Sequence, residues 1–183
     1  MFSFDAKSVT RLGLAAALSI GAASVIAADA PHFGTPIAPA DIAPWDISIG
    51  PDGVGLPAGS GTVAQGEKVF LEKCQACHGE KGAGTPNDRL VGGQGTLAGA
   101  TTTAVKTVGS YWPYPTTFFD YVRRAMPWNE PKSLSDNDVY GLAAYIFNLN
   151  GIVAADAVMN AQTLPKVQMP NRDGFIPFPR SKF

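Results

Sequence analysis

With 183 residues, 45% of them hydrophobic, 20 Gly and 15 Pro, the chain suits one domain with loop-rich and extended additions. A formal charge of −1 argues against nucleic acid or an anionic membrane surface as partner. Both cysteines fall within one short motif, so no thiol is left for a disulfide or a second metal site.

Residues 1–28 read as a secretory signal. Lys7 and Arg11 supply the positive start, Leu12 to Ala28 is uncharged and rich in Ala, Gly and Ser, and Ala27-Ala28-Asp29-Ala30 offers small residues for cleavage. The other reading is an uncleaved anchor, but so short a run of small residues makes a marginal span. Cleavage between Ala27 and Ala30 is therefore expected, which places the mature chain in the periplasm without a membrane span.

Residues 29–61 form a proline-rich arm, in which Pro31, Pro36, Pro39, Pro44, Pro51 and Pro57 oppose helix. Phe33, Ile42, Trp45 and Ile47 punctuate it. The arm is either disordered or packed, on its own domain or on a partner.

A helix follows over about Val63 to Cys77, with Thr62 as N-cap and Glu67 in the early turns. Val63, Gly66, Phe70, Cys74 and Cys77 make one stripe at helical spacing. The helix leads into Cys74-Gln75-Ala76-Cys77-His78, a C-x-x-C-H run and the attachment sequence of covalent haem c. Two thiols on one helical face can each form a thioether to a vinyl group of one haem, and the histidine after them can bind the iron as proximal ligand. A thioredoxin-like disulfide would open a helix after a strand. A zinc site lacks ligands, because the one other histidine, His32, lies far upstream in the arm.

Gly79 to Gly109 is a glycine-rich loop expected to wrap the haem, with one short helix near Thr101 to Val108. Gly92-Gly93-Gln94-Gly95 lacks the preceding strand and the lysine of a phosphate-binding loop. Ser110 to Pro115 is an aromatic turn. Thr116 or Thr117 then caps a helix over about Phe118 to Ala125, which Met126-Pro127 ends. Met126, on a helix-to-loop corner downstream of His78, is the candidate distal iron ligand. Ordinary core packing is the common role of such a methionine, and Met159 and Met169 are the alternatives. Arg123, Arg124, Trp112 and Tyr111 are candidates to bind haem propionates, although cations at a helix C-terminus are favourable in any case.

Ser135-Asp136-Asn137-Asp138 is close to a capping box and opens a helix over Asp136 to Leu149, with Val139, Leu142, Ile146 and Leu149 as its apolar stripe. Asn150-Gly151 stops it. A short turn at Ala154 to Ala161 and a tail from Leu164 to Phe183 complete the chain.

Val63-Ala64-Gln65-Gly66-Glu67-Lys68-Val69-Phe70 before the C-x-x-C-H resembles the N-terminal helix of class I cytochromes c. Leu142-Ala143-Ala144-Tyr145-Ile146 resembles their C-terminal helix. The resemblance implies an all-α domain over 62–151 around one covalent haem, with Gly66 and Phe70 meeting Tyr145. It leaves 1–28 as signal, 29–61 as N-terminal arm and 152–183 as C-terminal tail. A narrower resemblance, to SoxD-type cytochromes of bacterial sulfur oxidation, rests on Ala43-Pro44-Trp45-Asp46-Ile47, on Pro51-Asp52-Gly53, on Gly55-Leu56-Pro57-Ala58-Gly59-Ser60-Gly61, on Thr107-Val108-Gly109-Ser110-Tyr111-Trp112-Pro113-Tyr114, on Arg123-Arg124-Ala125-Met126-Pro127 and on Met169-Pro170-Asn171-Arg172-Asp173-Gly174-Phe175. It implies Met126 as sixth iron ligand, a molybdenum-cofactor dehydrogenase subunit as electron donor and another cytochrome downstream. Rival readings are a free, diffusible cytochrome shuttle and a haem enzyme acting on a sulfur compound at iron.

Overall fold

The computed structural model describes residues 33–98 and 103–176. The signal segment 1–28 lies outside the described residues, as do 29–32, 99–102 and 177–183. Two compact units divide between Trp45 and Asp46.

In the first unit the described residues form one short helix, α1 (Pro39–Ile42), with proline in its first turn. Its neighbours close local turns: Asp41 N–H donates to Ala38 O and Trp45 N–H to Ile42 O. Phe33, Ile37 and Trp45 are exposed.

The second unit is organised by two helices that meet face to face, α2 (Val63–Lys73) and α5 (Asp136–Leu149). Both start at full capping boxes. Thr62 Oγ1 accepts from Gln65 N–H (3.2 Å) while Gln65 Oε1 accepts from Thr62 N–H (2.9 Å). Ser135 and Asp138 do the same for α5, at 3.2 and 3.1 Å. The helices meet at Gly66, where a Cβ would lie 1.8 Å from the Gly141 carbonyl oxygen. One turn on, Phe70 and Tyr145 pack with ring centroids 5.4 Å apart.

α2 is shorter than its periodicity suggests. Cys74 leaves helical geometry (φ −122°, ψ −36°), and the chain resumes as the single turn α3 (Gln75–His78). Cys74 N–H still donates to Phe70 O (2.9 Å), while Cys74 O accepts from His78 N–H (2.9 Å), so hydrogen bonding continues across the joint. One non-helical residue does not disturb an apolar stripe, so the sequence pattern runs through it.

α4 (Pro115–Ala125) begins earlier than expected and has no side-chain cap. Pro115 occupies its first position, where a missing N–H costs nothing and φ is preset. Neither threonine caps it: Thr116 Oγ1 donates to Pro51 O (3.2 Å), and Thr117 Oγ1 donates to Tyr114 O (2.9 Å). Met126 turns the chain to extended geometry, ahead of Pro127, as expected. The short helix expected near Thr101 to Val108 is absent from its described part, which is irregular; a 3₁₀ turn stands upstream, at Thr96–Ala98.

Beyond α5, the turn expected at Ala154 to Ala161 contains a strand. β2 (Val158–Asn160) pairs antiparallel with β1 (Ser60–Thr62), with Gly61 opposite Met159. Helices dominate, but this ribbon joins the arm to the tail. Each strand has three residues, too few for alternation to register.

The core joins all these elements. Phe70, Phe119, Val139, Tyr140, Phe147 and Leu164 are fully buried, and each side chain of this size contributes about 1.5–3 kcal/mol. Residues 46–61 pack into this unit. Ile49 is buried, its N–H donates to Asp120 Oδ1 (3.2 Å), and Pro57 O accepts from the Tyr140 hydroxyl (2.8 Å). From the tail, Met159, Leu164 and Met169 are buried in the same core.

Candidate cofactor site

The break at Cys74 has a consequence for chemistry. It directs the C-x-x-C-H turn into a cavity of about 660 Å³, within the range of cofactor sites. Cys74, Cys77 and His78 line it from the α2–α3 corner, and Met126 from the end of α4. Phe70, Phe118, Leu142 and Ile146 supply apolar wall. The four residues singled out by sequence thus face a common space.

His78 is oriented from behind. Its Nδ1 lies 2.8 Å from the Asp88 carbonyl oxygen. A carbonyl accepts only, so Nδ1 carries the proton and Nε2 keeps a free lone pair, the arrangement of a metal-binding imidazole. Asp88 is held from both sides, since Asn87 N–H donates to Cys77 O (2.9 Å) and Leu90 N–H donates to Gly82 O (2.8 Å). Burial, and secondly the adjacent Cys77, push the Cys74 thiol up to about 11, so it stands neutral near pH 7.

Two thiols, an imidazole with its lone pair free and a thioether, around an apolar cavity, fit a covalently attached haem. The donor set matches c-type ligation, and the wall chemistry suits a flat apolar macrocycle.

The expected propionate partners divide. Tyr111 and Trp112 line the cavity, and Trp112 Nε1 donates to Thr117 Oγ1 (2.9 Å). Arg123 and Arg124 do not line it. Arg123 Nε pairs with Asp136 Oδ1 (2.7 Å), and Arg124 pairs with Asp120 one turn earlier on α4. The cations that reach the cavity are instead Lys73, Arg89 and Lys106, the last with Nζ 5.2 Å from the Tyr111 ring centroid. Met159 and Met169 are core residues away from the cavity lining, which leaves Met126 as the methionine there among the described residues. Sequence reasoning missed the Asp88 carbonyl, because any residue carries one. It also missed Trp128, which lines the cavity yet is 84% exposed.

The family model described as cytochrome C oxidase, cbb3-type, subunit III, matches residues 61–146. The crystal structure of the sulfane dehydrogenase SoxCD from Paracoccus pantotrophus contains a chain 39% identical to this one. The match has a TM-score of 0.76 and covers 84% of this chain and 75% of that one. This chain belongs to the SoxD-like cytochromes c. It carries covalently bound haem c. A thiosulfate dehydrogenase from Psychrobacter arcticus is 29% identical over 109 residues, which are 56% of this cytochrome and 32% of that protein. The cytochrome therefore spans about one third of the length of that curated relative.

Proposed function

We propose that this cytochrome is a periplasmic electron-transfer subunit that accepts electrons from a molybdenum-cofactor dehydrogenase of sulfur compounds and passes them to another cytochrome. Haem c, when bound, supplies a one-electron iron couple. Cys74 and Cys77 hold it by thioethers. His78 Nε2 and the Met126 sulfur would both bind its iron, which would leave no site at iron for substrate. The observation that carries this reading is the convergence of these four side chains on one cavity, in a chain akin to a subunit of a sulfane dehydrogenase.

In this reading residues 1–28 direct export, and 62–151 form the haem domain between the arm 29–61 and the tail 152–183. Exposed Phe33, Ile37 and Trp45 of the arm and Ile176 of the tail supply partner contact, as exposed apolar side chains at protein interfaces do. Apolar walls and a thioether ligand raise the reduction potential, which suits an electron acceptor.

Optical spectra of the oxidised holoprotein test the ligand set. Wild type should show the weak far-red band of iron–methionine ligation, and Met126→Ala should lose it while the potential falls. Identical spectra for the two proteins would remove Met126 from the iron.

A second reading has one observation in its favour, the similarity to a thiosulfate dehydrogenase. It makes the haem itself the site of sulfur chemistry and requires a sixth ligand that substrate displaces. Thiosulfate added to the holoprotein alone separates the two: a change in the haem spectrum favours this reading, and no change favours the relay.

A further inference from the structure

Asn150, the C-cap residue of α5, uses all four polar valences of its side-chain amide. Nδ2 donates to Ile146 O (2.9 Å) in its own helix and to Leu90 O (3.2 Å) across the fold. Oδ1 accepts from Gly92 N–H (3.0 Å) and from Gln94 Nε2 (3.3 Å). The amide orientation follows from its partners, because the flipped form would set NH₂ against the Gly92 N–H. The fit is close: a Cβ on residue 109 would lie 2.0 Å from Asn150 Oδ1, so glycine there admits the amide.

Leu90 and Gly92 belong to the segment that carries the Asp88 carbonyl to His78. That segment is pinned at Asn87 and at Leu90 N–H to the C-x-x-C-H corner and its following turn. Its other pins are the two bonds to Asn150 and one from Thr107 Oγ1 to Gly92 O (2.5 Å). Asn150 is thus a link between the end of α5 and the loop behind the histidine.

We propose that Asn150 is a positioning residue for His78: by fixing the 88–92 loop it sets the Nδ1–H···O bond to Asp88, and through that bond the reduction potential of the haem. The inference rests on His78 being an iron ligand. A firm Nδ1–H···O bond makes the imidazole the better electron donor and favours oxidised iron. Loosening the loop weakens the bond and favours the reduced form.

The test uses the full-length holoprotein, with reduction potential, exchange of the His78 Nδ1 proton by NMR and thermal melting as readouts. Asn150→Ala should speed that exchange and raise the potential. Gly109→Ala, which displaces the amide with Asn150 in place, should move both in the same direction. Asn150→Asp keeps the acceptor for Gly92 but sets an anionic oxygen against the Leu90 and Ile146 carbonyls, so it too should speed the exchange. Its own charge moves the potential, so it is read by exchange, which keeps the test open if Asn150→Ala fails to fold. The control is Asn148→Ala, which removes a bond from the same helix end to Val153 O (3.0 Å) and should lower only the melting temperature. Exchange that stays at the wild-type value in the Asn150 variants and a potential unchanged in Asn150→Ala, with melting lowered as in the control, would overturn the positioning role. Absence of an iron-shifted histidine Nδ1 proton in wild type would instead overturn the ligand reading, and this inference with it.

Discussion

Asp120 shows how one buried carboxylate joins distant segments. It is 7% exposed; Oδ1 accepts from Ile49 N–H in the arm, and Oδ2 from Arg124 on its own helix. Arg124 is 42% exposed at its side chain, so the ion pair itself contributes little, and the bond to the buried amide matters more. Asp120→Ala, which leaves the buried Ile49 N–H without its acceptor, should therefore cost about 1–3 kcal/mol, read as a lower urea midpoint at unchanged slope. A midpoint equal to wild type would mean that the arm is held by other contacts. The same residues explain why Arg123 and Arg124 misled as propionate partners: two adjacent cations at a helix end signal that end, but not the acids that claim them. Asp136 becomes visible as the partner of Arg123 only in three dimensions, whereas Asp120 stands at the i,i+4 spacing from Arg124 that a helix over these residues already brings together.

Tyr140 gives a second prediction at this scale. Burial pushes its hydroxyl up to about 12, with Asp136 raising it further and Arg123 opposing. Its folded value stands above its ordinary one, so this stabilisation is complete below about pH 10 and is lost as pH rises toward 12. In Tyr140→Phe that part of the alkaline loss should vanish, while about 1 kcal/mol disappears at neutral pH with the bond to Pro57 O. Urea melts of both proteins at neutral and alkaline pH check this. A parallel loss in the two would assign the alkaline sensitivity to other groups.

At the scale of elements, the fold turns on close contact between α2 and α5. Gly66→Ala would drive a methyl group into the Gly141 carbonyl, and helix backbones cannot yield locally. The expected loss is about 3 kcal/mol or more, at the upper end of overpacking effects. Denaturation of the variant measures it, and a loss below about 1 kcal/mol would show that the helices can part at small cost. Both helices were legible in the sequence because their signals are local: Thr62 as an N-cap, Ser135 to Asp138 as a near capping box, and apolar stripes at helical spacing. The return bond from Gln65 to Thr62 appears only in the structure. The meeting of Gly66 with the backbone at Gly141 was only half legible, since a glycine in a helix announces close approach without naming the neighbour. The ribbon of β1 and β2 was not legible at all. Three-residue strands carry no period, and their pairing spans nearly the whole domain.

For the whole molecule, the chemistry was more legible than the architecture. C-x-x-C-H packs two thiols and an imidazole that line the cavity into five residues, and Met126-Pro127 marks the corner that brings the thioether to the same cavity. What the arm and tail do depended on long-range packing, which no local pattern reports. Met159, Leu164 and Met169 of the tail, and Ile49 from the arm's second part, belong to the core. Removing residues 158–176 should therefore abolish cooperative unfolding by near-UV circular dichroism; a sharp, unshifted transition would assign the tail a peripheral role. Among the described residues no helix is long and apolar enough to cross a membrane.

In the proposed function this cytochrome relays electrons and does not itself oxidise a sulfur compound. The most direct measurement is rapid-mixing spectroscopy of the oxidised holoprotein, with sulfur compounds alone and then with the molybdenum-cofactor dehydrogenase subunit added. For a relay, the haem stays oxidised with sulfane sulfur, sulfite or thiosulfate alone and is reduced, one electron per chain, once the dehydrogenase is present. Rapid reduction by a sulfur compound without the dehydrogenase, with sulfur product released, would contradict it.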